Sequence, residues 1–202
     1  MDVGDIHSKL NKLWHATPGE GHSGELAEQT LALANIIKFL PPNARILEIG
    51  FNCGHSAATM LCTRNDISIL SLDLGLHGYV SKAKLLIDQI FPGRHELVLG
   101  DSTQTMANID GNFDMFFIDG GHEYSIALQD AKHCLALARP TDVILIDDVC
   151  KHPKHEYTVG PSRVWREMTD WGLIREKEHL EWAPGARGWA WGYPSQKGVK
   201  VK

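Results

Sequence analysis

The sequence holds no apolar run approaching the roughly 20 residues that a membrane-crossing helix needs, so no span of that kind is expected. Cysteine is scarce: Cys53, Cys62, Cys134 and Cys150 are widely spaced and form no C-x-x-C pair. That spacing points to neither a disulfide framework nor a structural zinc, and reduced thiols in a cytoplasmic protein are expected. Basic charge is not in excess either, with 20 Lys and Arg against 25 Asp and Glu and a net charge of −5. A nucleic-acid backbone usually demands a basic face, so no nucleic-acid partner is expected. The opening MDVGDIHSKLNKLW lacks the basic end and apolar core of a signal peptide. There is no internal repeat.

What is present is an ordinary globular balance, 43% hydrophobic and 22% charged residues in 202, enough to bury a core in one domain. We read residues 1–202 as a single domain, with 1–22 as an N-terminal arm or cap and 195–202 as a tail. Short apolar runs at 45–50, 68–74, 96–100, 113–119 and 142–148 are rich in Ile, Leu, Val and Phe, with Gly or Asp at their ends. They predict buried strands. Helical periodicity fills the intervals at 24–40, 55–63, 80–91, 102–109 and 123–138, and again at 164–171. Such alternation implies a doubly wound α/β fold with a parallel sheet. Residues 172–180 and 187–193 alternate like two strands joined by a turn at 183–185. The expected architecture is therefore a Rossmann-like, mostly parallel seven-stranded sheet closed by a C-terminal antiparallel hairpin.

In open sheets of this kind ligands bind at the carboxyl ends of the strands, and here those ends collect acids and glycines. The first strand runs into Glu48-Ile49-Gly50-Phe51-Asn52-Cys53-Gly54-His55-Ser56. Two glycines four apart let the backbone approach a ligand closely. Asn52 and Ser56 offer side-chain hydrogen bonds, and the following helix offers backbone donors. This turn is not the G-x-G-x-x-G of nicotinamide enzymes, and Glu48 would repel a diphosphate while tolerating a cationic ligand. Asp73 ends the second strand, where a carboxylate accepts from a ribose diol or caps a helix. Asp101 and Ser102 end the third strand, placed to hold an adenine amino group or to cap the next helix. Asp119, followed by Gly120-Gly121-His122, and the pair Asp147-Asp148 end the fourth and fifth. Three converging carboxylates would repel unless a cation bridges them, and an all-oxygen set favours Mg²⁺, Mn²⁺ or Ca²⁺. Simple capping explains the same acids without any metal.

The motifs ILEIGFNCGHSA, SLDLG, LVLGDS, FDMFFIDGGHEYSIALQD and VILIDDV, in this order, resemble the class I S-adenosylmethionine-dependent methyltransferases. More narrowly, they are similar to the cation-dependent small-molecule O-methyltransferases, in a branch that includes sugar and macrolide-sugar enzymes. The resemblance implies that S-adenosylmethionine is the cofactor. Gly50 and Gly54 would frame its methionine part, with Glu48, Asn52 and Ser56 beside them. Asp73 would bind the ribose, and Asp101 with Ser102 would border the adenine. It also implies Asp119, Asp147 and Asp148 as metal ligands, with Asp119 bordering the cofactor too, and His122 as general base. The expected partner is a small-molecule hydroxyl acceptor, with no membrane involved and a homo-oligomer left open.

Two other readings compete. A nicotinamide-dependent oxidoreductase on a similar sheet is disfavoured by the glycine turn and Glu48. A cofactor-binding but silent protein is disfavoured by the Asp119, His122, Asp147 and Asp148 set. A metal-independent methyltransferase acting on another nucleophile stays open. The loop Lys151-His152-Pro153-Lys154-His155 is read as a solvated charged loop, with a mobile flap over the site as the alternative. His22 and Ser23 precede the first periodic helix, as a capping turn or as a cover for the cofactor. Most of Trp165, Trp171, Trp182, Trp189 and Trp191 are expected in the core.

Overall fold

The structure is a computed structural model that describes residues 2–14 and 21–195. Of the expected tail only Ser195 is among these, and residues 1 and 15–20 of the expected arm lie outside them. Seven strands form the expected mixed, mostly parallel sheet. Two compact units, Met1–Asp101 and Ser102–Lys202, divide the chain and are taken in turn.

In the first unit β1 (Arg45–Ile49), β2 (Ser68–Asp73) and β3 (His95–Leu99) pair in parallel, with β2 in the middle. The central positions of β1 and β2 are buried, as strands covered on both faces must be. Four helices accompany them: α1 (Val3–Trp14), α2 (Ala27–Lys38), α3 (His55–Thr63) and α4 (Val80–Ile90). Helix α1 is the one element absent from the sequence reading. Its signal was present in the spacing of Ile6 and Leu10, both fully buried, because residues four apart share one helical face. It packs on α3 and α4.

In the second unit β4 (Met115–Ile118) and β5 (Val143–Asp147) are parallel and buried throughout. The hairpin β6 (Ile174–Ala183) and β7 (Arg187–Pro194) follows, with β7 antiparallel to β5. β6 lies at the outside of this run, and its Arg175, Glu176, Lys177 and Glu178 are exposed, charge that discourages edge-to-edge pairing. The expected helix at 102–109 is α5 (Ser102–Thr105) followed by a 3-10 turn at Met106–Asn108. Helix α6 (Tyr124–Leu137) is as expected.

Helix α7 (Glu156–Asp170) begins eight residues earlier than its periodicity suggested. Gly160-Pro161 reads as a helix breaker in sequence, yet both residues are buried inside α7. The tryptophan expectation needs a correction. Trp165 and Trp189 are core, but Trp182 and Trp191 are half-buried and Trp171 is exposed. Trp191 donates from Nε1 to Glu178 Oε2 at 3.0 Å, an amphipathic placement that keeps the indole N–H satisfied near the surface.

One polar cluster breaks the apolar rule in the first unit. Glu48 is fully buried in β1, and its register partner on β2 is Ser71. Ser56 and Ser71 donate to its two carboxylate oxygens, and Ser71 also contacts His95 Nε2 at 2.9 Å. Burial pushes the Glu48 carboxyl up to about 7 from an ordinary 4.5, against the two serine hydrogen bonds and with Asp73 adding to the rise. Between those two pH values the folded chain keeps a proton that the unfolded chain has lost. The contribution of Glu48 is therefore complete below about pH 4.5 and falls as pH rises through 7, by about 3 kcal/mol. In urea unfolding across pH 4.5–8, Glu48→Gln should remove that component of the pH slope; an unchanged slope would show that Glu48 ionises normally.

Candidate active site

Of the expected cofactor residues, Glu48, Gly50, Asn52, Gly54, Ser56 and Asp73 lie in the first unit at or beside the turn after β1, whereas Asp101 follows β3 and Ser102 and Asp119 belong to the second unit. Gly50 (φ 96°), Asn52 (φ 48°) and Gly54 (φ 79°) all have left-handed backbone within five residues. A β-carbon on Gly54 would meet the Phe51 ring at 2.8 Å, so glycine is required there by space as well as by φ. The turn is fixed from below by Asp73. Its Oδ2 accepts the Asn52 amide at 2.7 Å and its Oδ1 accepts the Gly75 amide at 2.7 Å. Each carboxylate oxygen retains a second lone pair, so Asp73 can hold this turn and still accept from a diol.

Asn52 is held at both ends of its side chain. Nδ2 donates to Gly21 O at 3.0 Å, and Oδ1 accepts from Tyr79 Oη at 2.7 Å. Helix α3 then starts with no side-chain cap at Gly54, a start that leaves first-turn amides for an anionic ligand group. Ser56 points the other way, donating to buried Glu48, so these two residues support the turn from behind. His22 fills the capping role considered for it. Its Nδ1 accepts from Gly24 N at 3.2 Å, and its ring stacks on His55 at 3.6 Å between centroids. Burial, with His22 and His7 nearby, holds the His55 imidazole far below its ordinary range, at about 2, so it stays neutral. Asp101 is exposed after β3.

The second unit brings Asp119, His122 and Asp148 together. One ligand atom from each lies within 4.8 Å of the others, and all three residues are half-buried. His122 Nε2 is 2.9 Å from Asp148 Oδ2. Asp147 is not in this group; it is buried, and its Oδ1 accepts the amide of Asp148 at 2.9 Å. That bond accompanies a left-handed backbone at Asp148 (φ 56°), a conformation that costs a non-glycine residue about 1 kcal/mol or more and turns its side chain away from the strand direction. Ser102 is half-buried at the start of α5.

Sequence reasoning missed the residues that hold this cluster. Ser162 of α7 accepts the Cys150 amide at 2.8 Å, which pins the segment after Asp148. A β-carbon on Gly160 would collide with His122 O and come within 2.8 Å of Tyr124 N. The Gly-Pro pair inside α7 is thus a site of close packing against residues 122–124. The loop 151–155 is exposed, as expected, yet it is tied to the hairpin turn. Lys151 N donates to Glu181 Oε1 at 3.0 Å and Lys154 N to Gly185 O at 2.8 Å.

The family model described as a methyltransferase domain matches residues 47–149. Solved structures share the fold along nearly the whole chain. The O-methyltransferase TomG of Streptomyces achromogenes, involved in tomaymycin synthesis and solved with S-adenosylmethionine, is 18% identical with a TM-score of 0.75. The match covers 95% of this chain and 90% of TomG. The methyltransferase PaMTH1 of Podospora anserina, bound to S-adenosylhomocysteine, gives 17% identity and a TM-score of 0.74 over 96% and 88% of the two chains. An O-methyltransferase of Bacillus cereus with S-adenosylhomocysteine gives 18% identity and 0.73 over 96% and 90%. No curated protein matches the chain. Among the described residues no helix is long and apolar enough to cross a membrane.

The contact of Gly160 with the backbone of 122–124 can be tested directly. Gly160→Ala forces either α7 or the His122 segment to move, an overpacking cost of about 1–3 kcal/mol. Urea unfolding should show a loss of that size, although alanine is the better helix former by about 1 kcal/mol. A variant of equal or greater stability would mean that α7 does not pack on this segment.

Proposed function

Because the chain belongs to the methyltransferase-domain family, we propose that it transfers the methyl group of S-adenosylmethionine to a hydroxyl of a small molecule, with a divalent cation and His122 assisting. The observation that carries this reading is the convergence of Asp119, His122 and Asp148 at the ends of two buried parallel strands. In the first unit, Gly50 and Gly54 leave room for the methionine portion, and Asp73 accepts from the ribose. Glu48 and Ser56 back the turn, Asn52 lies within it, and Asp101 with Ser102 borders the adenine. S-adenosylmethionine and its demethylated product are bound in the three related structures, which supports the same donor here.

The donor set suits a divalent cation, since the carboxylates of Asp119 and Asp148 come close enough to share one ion, with the His122 imidazole beside them. Asp119 and Asp148 would hold Mg²⁺, or Mn²⁺ or Ca²⁺ in its place, with Asp147 fixing the backbone of Asp148. Bound there, the ion would lower the pKa of the acceptor hydroxyl. His122 takes the hydroxyl proton as the oxygen attacks the methyl carbon. Held by Gly50, Gly54 and Asp73, S-adenosylmethionine would supply a methyl group that leaves with the carbon–sulfur electron pair staying on sulfur, so that the methyl ether and S-adenosylhomocysteine would result. The sulfonium is already a good leaving group, so alignment of the two reactants, worth about 7–11 kcal/mol when complete, is the protein's main task.

A metal-independent version is favoured by one observation, the 2.9 Å contact of His122 Nε2 with Asp148. Asp148 would then orient the imidazole and stabilise its protonated form, and Nδ1 would take the proton.

Melting curves with and without Mn²⁺ separate the two versions. With a metal site, Mn²⁺ raises the melting temperature of the wild type, because a ligand that binds only the folded state stabilises it. The rise should vanish in Asp119→Asn and in Asp148→Asn. His122→Ala should cut turnover by about 10²–10⁴-fold. No Mn²⁺ effect, with turnover unaffected by a chelator, would leave the metal-independent version. Full turnover in His122→Ala would remove the histidine from the mechanism.

A further inference from the structure

Asp119 directly follows β4 and Asp148 directly follows β5, but His122 comes after Gly120 and Gly121, which give its segment little stiffness of its own. Something outside the sheet has to hold it. The start of α6 is not fixed by capping, since Glu123 at its N-cap makes no side-chain bond to the first turn. The next residue, Tyr124, is bonded to α7 instead. Its hydroxyl donates to Glu167 Oε2 at 2.6 Å. Arg163 donates from Nε to Glu167 Oε1 at 2.8 Å, and its guanidinium lies over the Tyr124 ring at 3.8 Å. Ring, guanidinium and carboxylate form a closed circuit in which both Glu167 oxygens are engaged.

The partners on α7 fall in one stripe. Gly160, Arg163 and Glu167 are spaced three and then four residues apart, which puts them on one face of a helix. Gly160 allows the close approach of the 122–124 backbone, and Arg163 and Glu167 then grip the side chain that ends that segment. Ser162, beside the stripe, accepts the Cys150 amide and so holds the other loop. One helix thus supports both segments whose side chains, His122 and Asp148, meet at 2.9 Å. As an ion pair the circuit adds little stability, because Arg163 is half exposed. Its geometry is the constraint: a planar guanidinium stacked on a ring and bonded to the carboxylate that the ring's hydroxyl also meets leaves few alternative arrangements. The bond to Glu167 raises the Tyr124 pKa, and the bonds from Tyr124 and Arg163 lower that of Glu167, so the circuit keeps its charges through neutral pH.

We propose that Tyr124, Arg163 and Glu167 form a positioning clamp for His122, fixing the imidazole relative to Asp119 and Asp148 without touching a reactant. The use of the clamp in methyl transfer rests on the reading above, whereas the placement of His122 can be measured without turnover. The clamp acts two residues from the imidazole, where a displacement of about 1 Å can cost on the order of a hundredfold in rate.

Three variants of the full chain test it. Glu167→Ala opens the circuit at both bonds. Glu167→Gln keeps an amide oxygen that can accept from Tyr124, and Tyr124→Phe leaves the ring beneath Arg163 but removes the hydroxyl bond. The His122 ring signals are read by NMR at fixed pH in the ligand-free protein, with kcat and KM for an accepted hydroxyl compound and calorimetric affinity for S-adenosylhomocysteine alongside. Glu167→Ala should shift or broaden the His122 signals and lower kcat by about 10- to 100-fold, the usual loss when a group that orients a site residue is removed. Its KM and its S-adenosylhomocysteine affinity should stay near wild type. Glu167→Gln should recover most of the turnover, and Tyr124→Phe should fall between the two. Unchanged His122 signals in both Glu167→Ala and Tyr124→Phe overturn the proposal. A loss that falls equally on kcat, S-adenosylhomocysteine affinity and melting temperature also overturns it, as the mark of a merely structural network. Altered His122 signals in a protein that transfers no methyl group uphold the clamp and count against the methyl-transfer reading. Methyl transfer that is indifferent to all three variants does the reverse.

Discussion

Strands buried on both faces can carry polar side chains in only two places: where the strand ends, or where another polar group on a neighbouring strand answers them. Most of the chemistry of this protein follows from that constraint. β4 and β5 are apolar along their buried lengths, and acids appear only as they finish, at Asp119, Asp147 and Asp148. β2 does the same at Asp73. Glu48, a fully buried carboxylate inside β1, is matched in register by Ser71 and approached by Ser56, and burial still raises its pKa. Leaving such a group without those partners would cost several kcal/mol.

The strand-end acids then divide by what they hold. Asp73 and Asp147 accept backbone amides, of Asn52 and Gly75 in one case and of Asp148 in the other. They shape the turns on which other groups are carried. Asp119 and Asp148 point toward a shared position with His122. A carboxylate that holds a backbone amide and one that faces His122 are therefore adjacent in sequence at 147 and 148, and Asp148 has a left-handed backbone. The same division appears at the glycine turn, where Asn52 shapes the loop from within while Ser56 turns inward to Glu48.

Much of this was legible in the sequence because strand burial leaves a strong apolar signature. All seven strands and helices α2 to α6 fall within a few residues of their expected positions, and the acids and glycines at the strand ends were identified by type and place. The start of α7 was not legible, because Gly160-Pro161 signals a break in isolation and its reason for being in a helix is the backbone of 122–124 packed against it. Ser71 looked like an ordinary strand residue; only the register with Glu48 gives it a purpose. Asp147 and Asp148 were indistinguishable as a dipeptide, since backbone φ decides which carboxylate meets His122.

The central claim is that the turn after β1, fixed by Asp73, is built for an S-adenosyl ligand. Calorimetric titration of S-adenosylhomocysteine and of a nicotinamide dinucleotide into the wild type and Asp73→Ala tests it most directly. The account predicts that S-adenosylhomocysteine binds the wild type, that Asp73→Ala loses about tenfold or more of that affinity, the usual loss for hydrogen bonds to a charged group, and that the dinucleotide does not compete. Tight dinucleotide binding, or no S-adenosylhomocysteine binding by a folded wild type, would contradict it.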